Sequence, residues 1–318
     1  MEAKHESVLL TEAVEALVLC GGDTVVDATL GGAGHFAALL AQLSSDGIIV
    51  GIDADPEAVE RGRAACAADH RPARPTAHLV NDNFRNLAHI LERLGIGSIN
   101  GALFDLGWSG YQIAAPRGFS FQRDEPLLMA YGQGGETAAD LVNTATEVEL
   151  ADLIHGYGEE RFARGIARAI VAARSKERIL TAGALVDAVK AGTPRWYHNR
   201  RIHPATKTFQ ALRIAVNDEL GALREGLSAA LSALVEGGRL AVISFHSIED
   251  RVVKDLLRGA VAAGLGSFVP KKPIVPTRAE LLANPRARSA KLRVFERSTQ
   301  PADNRSSFTP STRYLTYA

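Results

Sequence analysis

The stretch VVDATLGGAGHF, Val25 to Phe36, decides how the chain is read. A short apolar run ends in Asp27, then Gly31, Gly32 and Gly34 crowd together, and HFAALLAQL continues with helical spacing. Strand, glycine-rich turn and helix make the opening unit of a nucleotide-binding α/β sheet, where backbone must approach a ligand closely. The same alternation runs on through GIIVGIDAD, PEAVERGRAACAA, AHLVNDNF, RNLAHILERLG and GALFDLG. Strands that are apolar without alternation belong to a parallel sheet covered on both faces.

The pattern stops near Gln112. From there to Arg201 the sequence predicts loop and helix only. In ELADLIHGYGEERFARGIARAIVAARS, Leu150, Ile154, Phe162, Ile166 and Ile170 fall at helical spacings, with a break at Gly156 and Gly158. TAGALVDAVKAG predicts a helix capped by Thr181 and ending near Gly192. HPATKTFQALRIAVNDELGALREGLSAALSALVEGG predicts one long helix ending at Gly237. RLAVISF and AKLRVFER predict returning strands. The expected domains are therefore 1–112 with 203–298, an inserted helical domain over 113–202, and a polar tail over 299–318.

The chain has 318 residues, 46% of them hydrophobic, and a formal net charge of zero. Such a composition fills a core and excludes wholesale disorder. Cys20 and Cys66 form no CxxC pair, which excludes a zinc ribbon and a redox dithiol. MEAKHESVLL lacks a basic start followed by a long apolar run, and no stretch reaches the ~20 apolar residues of a membrane span. A cytoplasmic protein with no membrane attachment and no metal is expected, and nothing in the sequence sets an oligomeric state. Charge is segregated. Residues 1–160 carry 9 Lys and Arg against 24 Asp and Glu, whereas residues 161–213 carry 12 against 2. Arg161, Arg164 and Arg168 are predicted on one helical face, and RWYHNRR (195–201) mixes cations with aromatics. Arg164, Arg168, Arg195, Arg200 and Arg201 are the residues expected to meet RNA.

Three ligands compete for the glycine turn. ATP needs a Gly-Lys-Ser/Thr, and no lysine lies between Thr24 and Asp53. NAD needs G-x-G-x-x-G/A, which Gly32 to Ala37 fits loosely. S-adenosylmethionine carries no pyrophosphate but bears an ammonium and a sulfonium. Asp27 at the end of the first strand favours this third ligand, since a carboxylate would repel pyrophosphate there. Asp53 closes the second strand as an acceptor for ribose hydroxyls. Asn81, Asp82 and Phe84 close the third, where an adenine needs an acceptor and a stacking face. Asp105 closes the fourth. All lie at carboxyl ends of strands, where open α/β sheets bind ligands.

These residues stand within longer stretches: HESVLLTEAVEAL (5–17), DATLGGAGHF (27–36), GIDADPEA (51–58), DLGWSGYQI (105–113), RGFSF (117–121), YGEERFARGIARAIV (157–171), HPATKTFQALRIAVNDEL (203–220), GGRLAVISFHSIEDRVVK (237–254) and NPRARSAKLRVFER (284–297). Together they resemble the bacterial small-subunit (16S) ribosomal RNA methyltransferases that modify the exocyclic N4 of a cytosine in the decoding region. The resemblance implies a Rossmann-like, seven-stranded S-adenosylmethionine-dependent methyltransferase sheet with an inserted all-helical domain. It implies cofactor contacts at Ala33, Gly34, His35, Asp53, Phe84, Asp105 and Gln112, and the small ribosomal subunit as partner. The chain departs from the family at Trp108-Ser109-Gly110, where Val-Ser-Ser is usual. It departs again at Pro126 to Tyr131, where Pro-Leu-Asp-Met-Arg-Met is usual.

A cytosine amino group is a weak nucleophile, because its lone pair is delocalised into the ring. Asp105 and the carbonyls of Leu106 and Gly107 are the expected acceptors that orient it, with Trp108 and Tyr111 as stacking partners. Methylation at C5 instead would need a cysteine nucleophile, and neither cysteine follows the fourth or a later strand. The Pro-Pro-aromatic motif common among amino methyltransferases is absent. His246 is a candidate RNA contact, as is His203. Ser247 is the expected N-cap of IEDRVVKDLL, with Asp250 completing a capping box. An NAD-dependent oxidoreductase and a non-catalytic RNA-binding relative are the alternative readings.

Overall fold

The computed structural model describes residues 7–107, 117–131 and 135–298. The apolar runs form five parallel strands: β1 (Thr24–Asp27), β2 (Ile48–Asp53), β3 (Thr76–Asn81), β4 (Ile99–Asp105) and β5 (Leu234–Ser244). Two further strands, β6 (Gly266–Phe268) and β7 (Lys291–Arg297), complete one edge, with β7 antiparallel to both neighbours. The order across the sheet is β3-β2-β1-β4-β5-β7-β6. The winding reverses between β1 and β4, which opens a crevice at their carboxyl ends.

Successive strand residues serve opposite faces. Val25, Ile49 and Leu103 join one core with helices α1 (Leu10–Ala16), α2 (Gly34–Gln42) and α3 (Pro56–Ala68). Their neighbours Val26, Val50 and Ala102 join a second core with α4 (Leu87–Arg93). All six are fully buried, which is why these strands carry no polar alternation. Asp55 caps α3 by accepting the Glu57 N–H, with Pro56 in the first turn.

Among the described residues seven helices lie between β4 and β5, the first six being α5 (Ala138–Thr144), α6 (Glu147–Gly158), α7 (Ala163–Arg174), α8 (Ala182–Ala191), α9 (Arg195–His198) and α10 (Thr206–Val216). Of these six, all but the four-residue α9 share a third core that includes Leu150, Ile154, Ile166, Ile170, Leu185 and Leu212. Thr137 with Asp140 and Thr146 with Glu149 form capping boxes at α5 and α6, and Thr181 caps α8 as expected. Phe162 precedes α7, so Arg161 lies outside the helix, while Arg164 and Arg168 stand four residues apart on it.

The predicted single helix from His203 to Gly237 is two. It breaks at Asn217 and Asp218 between α10 and α11 (Glu219–Ala233), with Asp218 in the left-handed region at φ 43°. The break has a cause. The Asn217 amide donates to the Met129 carbonyl at 2.7 Å and accepts the Tyr131 N–H at 3.0 Å, tying the helix junction to a loop. Apolar periodicity passes through the break unaltered because Leu212 packs in the helical core and Leu223 and Leu227 in the sheet core. Strand β5 consequently starts at Leu234, and Gly237 lies within it rather than ending a helix.

The cap of α12 (Ser247–Ala262) also differs from expectation. His246 is the N-cap: its Nδ1 accepts the Glu249 N–H, and Glu249 accepts the His246 N–H. Ser247 donates instead to Glu159 at 2.8 Å, and Asp250 binds Lys291 and Arg293 on β7. Helix α13 (Arg278–Ala283) and a 3-10 turn (Pro285–Ser289) lead into β7. Among the described residues no helix is long and apolar enough to cross a membrane.

Candidate active site

The strand ends and the α10–α11 junction enclose a cavity of about 340 Å³. Of the expected cofactor contacts, Gly34, His35, Asp53, Phe84 and Asp105 line it. Ala33 stands just behind them in the left-handed region at φ 61°, and Gln112 lies outside the described residues, as do Trp108 and Tyr111. Asp27 is fully buried beneath Ala28 and Thr29 and does not reach the wall. Its Oδ1 accepts the Thr29 N–H at 3.1 Å while Oδ2 has no partner. Burial, with Asp105 and Asp53 nearby, holds its carboxyl well above the usual range.

Asp53 is fixed by two backbone donors, Gly31 N–H at 2.8 Å and Asp55 N–H at 2.9 Å. Burial nonetheless raises its carboxyl above the ordinary value. Phe84 is set edge-on to Phe104, with centroids 5.6 Å apart. Gly226 on α11 makes room for it: a Cβ there would meet the Phe84 ring at 2.7 Å. Asp105 donates its N–H to the Thr29 hydroxyl at 2.7 Å, and its Oδ1 accepts the Gly107 N–H at 3.2 Å. His35, 4% exposed, stands between the Val8 carbonyl at 3.2 Å and Asp105 Oδ2 at 3.5 Å. Gly107 is pressed against the Phe245 ring, which a Cβ would meet at 2.5 Å.

This lining suits one of the competing ligands. Asp53 offers acceptors for a ribose diol, Phe84 and Leu223 offer apolar faces for a base, and Asp105 adds negative charge for a cationic sulfur. Among the described residues the wall holds four carboxylates and, as cations apart from histidine, only Arg286. A pyrophosphate would face net repulsion there, whereas S-adenosylmethionine would be attracted.

The opposite end of the cavity was not anticipated from the sequence. Tyr131, Asn217, Glu219 and Glu249 line it, and Arg213 lies behind them with 15% of its side chain exposed. Arg213 Nε is 2.7 Å from Glu219 Oε1, and its Nη2 is 3.7 Å from Glu249 Oε1. Tyr131 donates its hydroxyl to Glu219 at 2.7 Å, and His246 Nε2 is 2.8 Å from Glu249 Oε1. Burial opposes charge at Glu249, but the His246 hydrogen bond and the Arg213 charge outweigh it and lower its carboxyl. Burial and the Glu219 charge push the Tyr131 phenol well up, so it stays a donor. Glu219, His246 and Glu249 are close enough together to hold a metal ion. The Arg213 guanidinium already supplies the cation for that cluster. Tyr131 occupies a departure from the family pattern, and its hydroxyl is what the departure adds.

The basic residues expected on the insertion are exposed: Arg164, Arg168, Arg195, Arg200 and Arg201. Arg168 pairs with Glu147 at 3.6 Å. Arg161 lies 4.7 Å over the Trp196 ring, and Arg200 lies 5.4 Å over Tyr197. Trp196, in the RWYHNRR stretch whose mix of cations and aromatics the sequence already showed, is 56% exposed, an aromatic face beside cations. His203 stacks on Phe121 at 4.5 Å and accepts the Ala205 N–H, which accounts for it structurally.

The MraW methylase family matches residues 2–298 of the chain. A protein of Deinococcus radiodurans called ribosomal RNA small subunit methyltransferase H is 50% identical over 298 residues, covering 93% of this chain and 91% of its own. Proteins of the same name from a Paenibacillus and a Methylobacterium are 44% and 46% identical, covering 92% and 94% of this chain and 99% and 93% of theirs. The chain therefore belongs to the MraW methylase family, and it is a methyltransferase whose cofactor is S-adenosylmethionine.

Proposed function

We propose that the chain methylates the exocyclic N4 of a cytosine in the decoding region of small-subunit ribosomal RNA. The observation that carries the choice of atom is the end of β4. Asp105, Leu106 and Gly107 bring a carboxylate and main chain to the cavity wall, while Cys20 and Cys66 both lie elsewhere. A C5 reaction would lack its thiol, whereas an amino group would find acceptors. The relatives' shared name supports ribosomal RNA of the small subunit as substrate.

S-adenosylmethionine, when bound, supplies an electrophilic methyl group on a sulfonium. Asp105 accepts a hydrogen bond from the N4 amino group and turns its lone pair toward that methyl. With the donor held by Gly34, Asp53, Phe84 and Asp105, the transfer would leave a neutral thioether on the donor and a cationic amino group on the base, whose proton would pass to water in the open cavity. Asp105 stabilises that charge, braced from behind by His35. The target base must be unstacked to enter. The exposed arginines of the insertion, with Trp196 beside them, hold the surrounding RNA by phosphate contacts and stacking.

The test is to incubate the protein with labelled S-adenosylmethionine and small subunits lacking the modification, then digest and identify the nucleoside. N4-methylcytidine is expected. Label in 5-methylcytidine or in a ribose methyl would sink the assignment.

A further inference from the structure

Phe245 separates the main cavity from a second crevice of about 470 Å³. The crevice is built on rigid elements. Ser244 on β5 and Lys291 on β7 are directly opposed antiparallel partners, so their side chains rise from the same face of the sheet. Arg288 and Ser289 enter from the 3-10 turn, and Ser247 enters from the start of α12. Apolar residues such as Val275 and Leu281 fill the remaining wall.

Three observations point to an anion. Among the described residues no carboxylate lines the crevice, although Arg288 and Lys291 do. Lys291 is shared with Asp250 at 2.9 Å, whereas Arg288 is exposed and makes no ion pair among the described residues. The N-terminus of the sixteen-residue helix α12 lies there, its positive end partly offset by Glu249 and Asp250 in the first turn. Third and independently, Ser244 is 2% exposed and its hydroxyl has no hydrogen-bond partner among the described residues. Buried hydroxyls are almost always paired, so a donor left unused in the wall of a cationic crevice marks where a ligand oxygen belongs.

The methyl donor carries no phosphate, so a phosphate seated beside its pocket belongs to the other substrate. We propose that this crevice seats the phosphodiester linking the target cytidine to its neighbour in the RNA, with Ser244 and Arg288 as its donors. This rests on RNA being the substrate. A nucleotide that places its base in the main cavity leaves its backbone at the rim, and Phe245 is the wall both compartments share. The contact fixes the register of the strand. It says nothing of base identity, which the main cavity reads.

The experiment uses the full chain, with Ser244→Ala, Arg288→Ala and the double variant. Substrates are small subunits lacking the modification and a decoding-region RNA hairpin. Arg288→Ala should raise KM about tenfold, the size of one charged hydrogen bond, with kcat within about twofold. The slope of log affinity for the hairpin against log salt should fall by about 1. Ser244→Ala should raise KM about threefold to tenfold, and S-adenosylhomocysteine affinity should stay at the wild-type value in every variant. A hairpin with one uncharged methylphosphonate next to the target cytidine should reproduce the Arg288→Ala loss and should not add to it. Wild-type KM and salt slope in Arg288→Ala, or losses that add, overturn the proposal. So does wild-type protein that fails to bind the hairpin. If the wild type binds the hairpin and Arg288→Ala lowers the slope, but no N4-methylcytidine forms, the crevice stands and the chemical assignment falls. If N4-methylcytidine forms and the variants match the wild type, the reverse holds.

Discussion

Arg213→Met removes the cation from the network at the α10–α11 junction while keeping an unbranched side chain of comparable reach. Two carboxylates, Glu219 and Glu249, then face each other without their guanidinium, in a site where their side chains are 15% and 7% exposed. Breaking a buried ion pair from one side costs about 3–5 kcal/mol. The lower end applies here, because both acids line an open cavity that water enters. At about 1.5 °C per kcal/mol, from about 2.1 cal/mol/K per residue over 318 residues, the melting temperature should drop by about 4–5 °C. The loss should depend on pH in a definite direction. In the wild type the folded Glu249 carboxyl lies below its ordinary value. Its stabilisation is therefore complete above the unfolded value of about 4.3 and is lost as pH falls through the folded one. Without Arg213 the two acids repel, the folded Glu249 value rises, and protonation relieves the strain. Urea unfolding of both proteins between pH 7 and pH 4.5 should show the difference narrowing as pH falls. Adding Glu219→Gln to Arg213→Met should recover part of the loss at pH 7. A gap below about 1 kcal/mol, or one that is flat across this range, would refute the view that Arg213 is the balancing cation.

Asp53→Ala should weaken S-adenosylmethionine binding by about 1.5–3 kcal/mol in calorimetry, the worth of a hydrogen bond to a charged acceptor. Because burial raises the Asp53 carboxyl, wild-type affinity should hold above that raised value and decline as pH falls through it, and the alanine variant should lose this dependence. Asp105→Asn should keep the fold and cofactor binding within about tenfold yet cut turnover about 100-fold, as loss of a charge-stabilising group does, in single-turnover assays. Paired Arg164→Glu and Arg168→Glu should lower the salt slope of RNA binding by about 2, one unit per lost phosphate contact, with calorimetric cofactor affinity unchanged. An unaltered slope would mean that these arginines are only solvated surface.

The sheet could be read from Val25 onward because parallel strands buried on both faces leave a one-dimensional signature: short apolar runs, each ending in a polar residue at the crevice. That regularity placed Asp53, Phe84 and Asp105 correctly at one cavity. The other half of the cavity had no such signature. Tyr131, Arg213, Glu219 and Glu249 come from a loop, two helices and a helix cap, and only the folded chain brings them within hydrogen-bonding distance. The broken helix escaped for a related reason. Asn217 ends α10 with side-chain bonds to Met129 and Tyr131, 88 and 86 residues away, which no local propensity records. The cap of α12 was misplaced by one residue. A histidine can accept a main-chain N–H as a serine does, while the serine is drawn off to Glu159.

A methyltransferase that acts on RNA must reconcile opposite electrostatic demands, because its cofactor is cationic at sulfur and its substrate is a polyanion. The chain meets them with no net charge by separating the two signs and muting the acids where the substrate enters. At the cofactor end, Asp53 is engaged by two main-chain donors, and Asp27 lies buried below the wall. At the other end, Arg213 sits between Glu219 and Glu249 and offsets one of their two charges, so a phosphate approaching the mouth meets a weakened rather than a full negative field. The surplus cations stand further out, on the exposed arginines of the inserted helices and on the turn that carries Arg286 and Arg288. At physiological ionic strength, screening over about 8 Å uncouples exposed charges from buried ones. The outer arginines can therefore draw in RNA without expelling the sulfonium, and the inner acids can hold the sulfonium without repelling the strand. Arg213→Met tests this balance as well as stability. It should leave cofactor affinity equal or tighter, since the pocket becomes more negative, and weaken RNA binding most at low salt. RNA affinity that is unchanged at low salt would show that the inner acids are invisible to the strand and that Arg213 serves the fold alone.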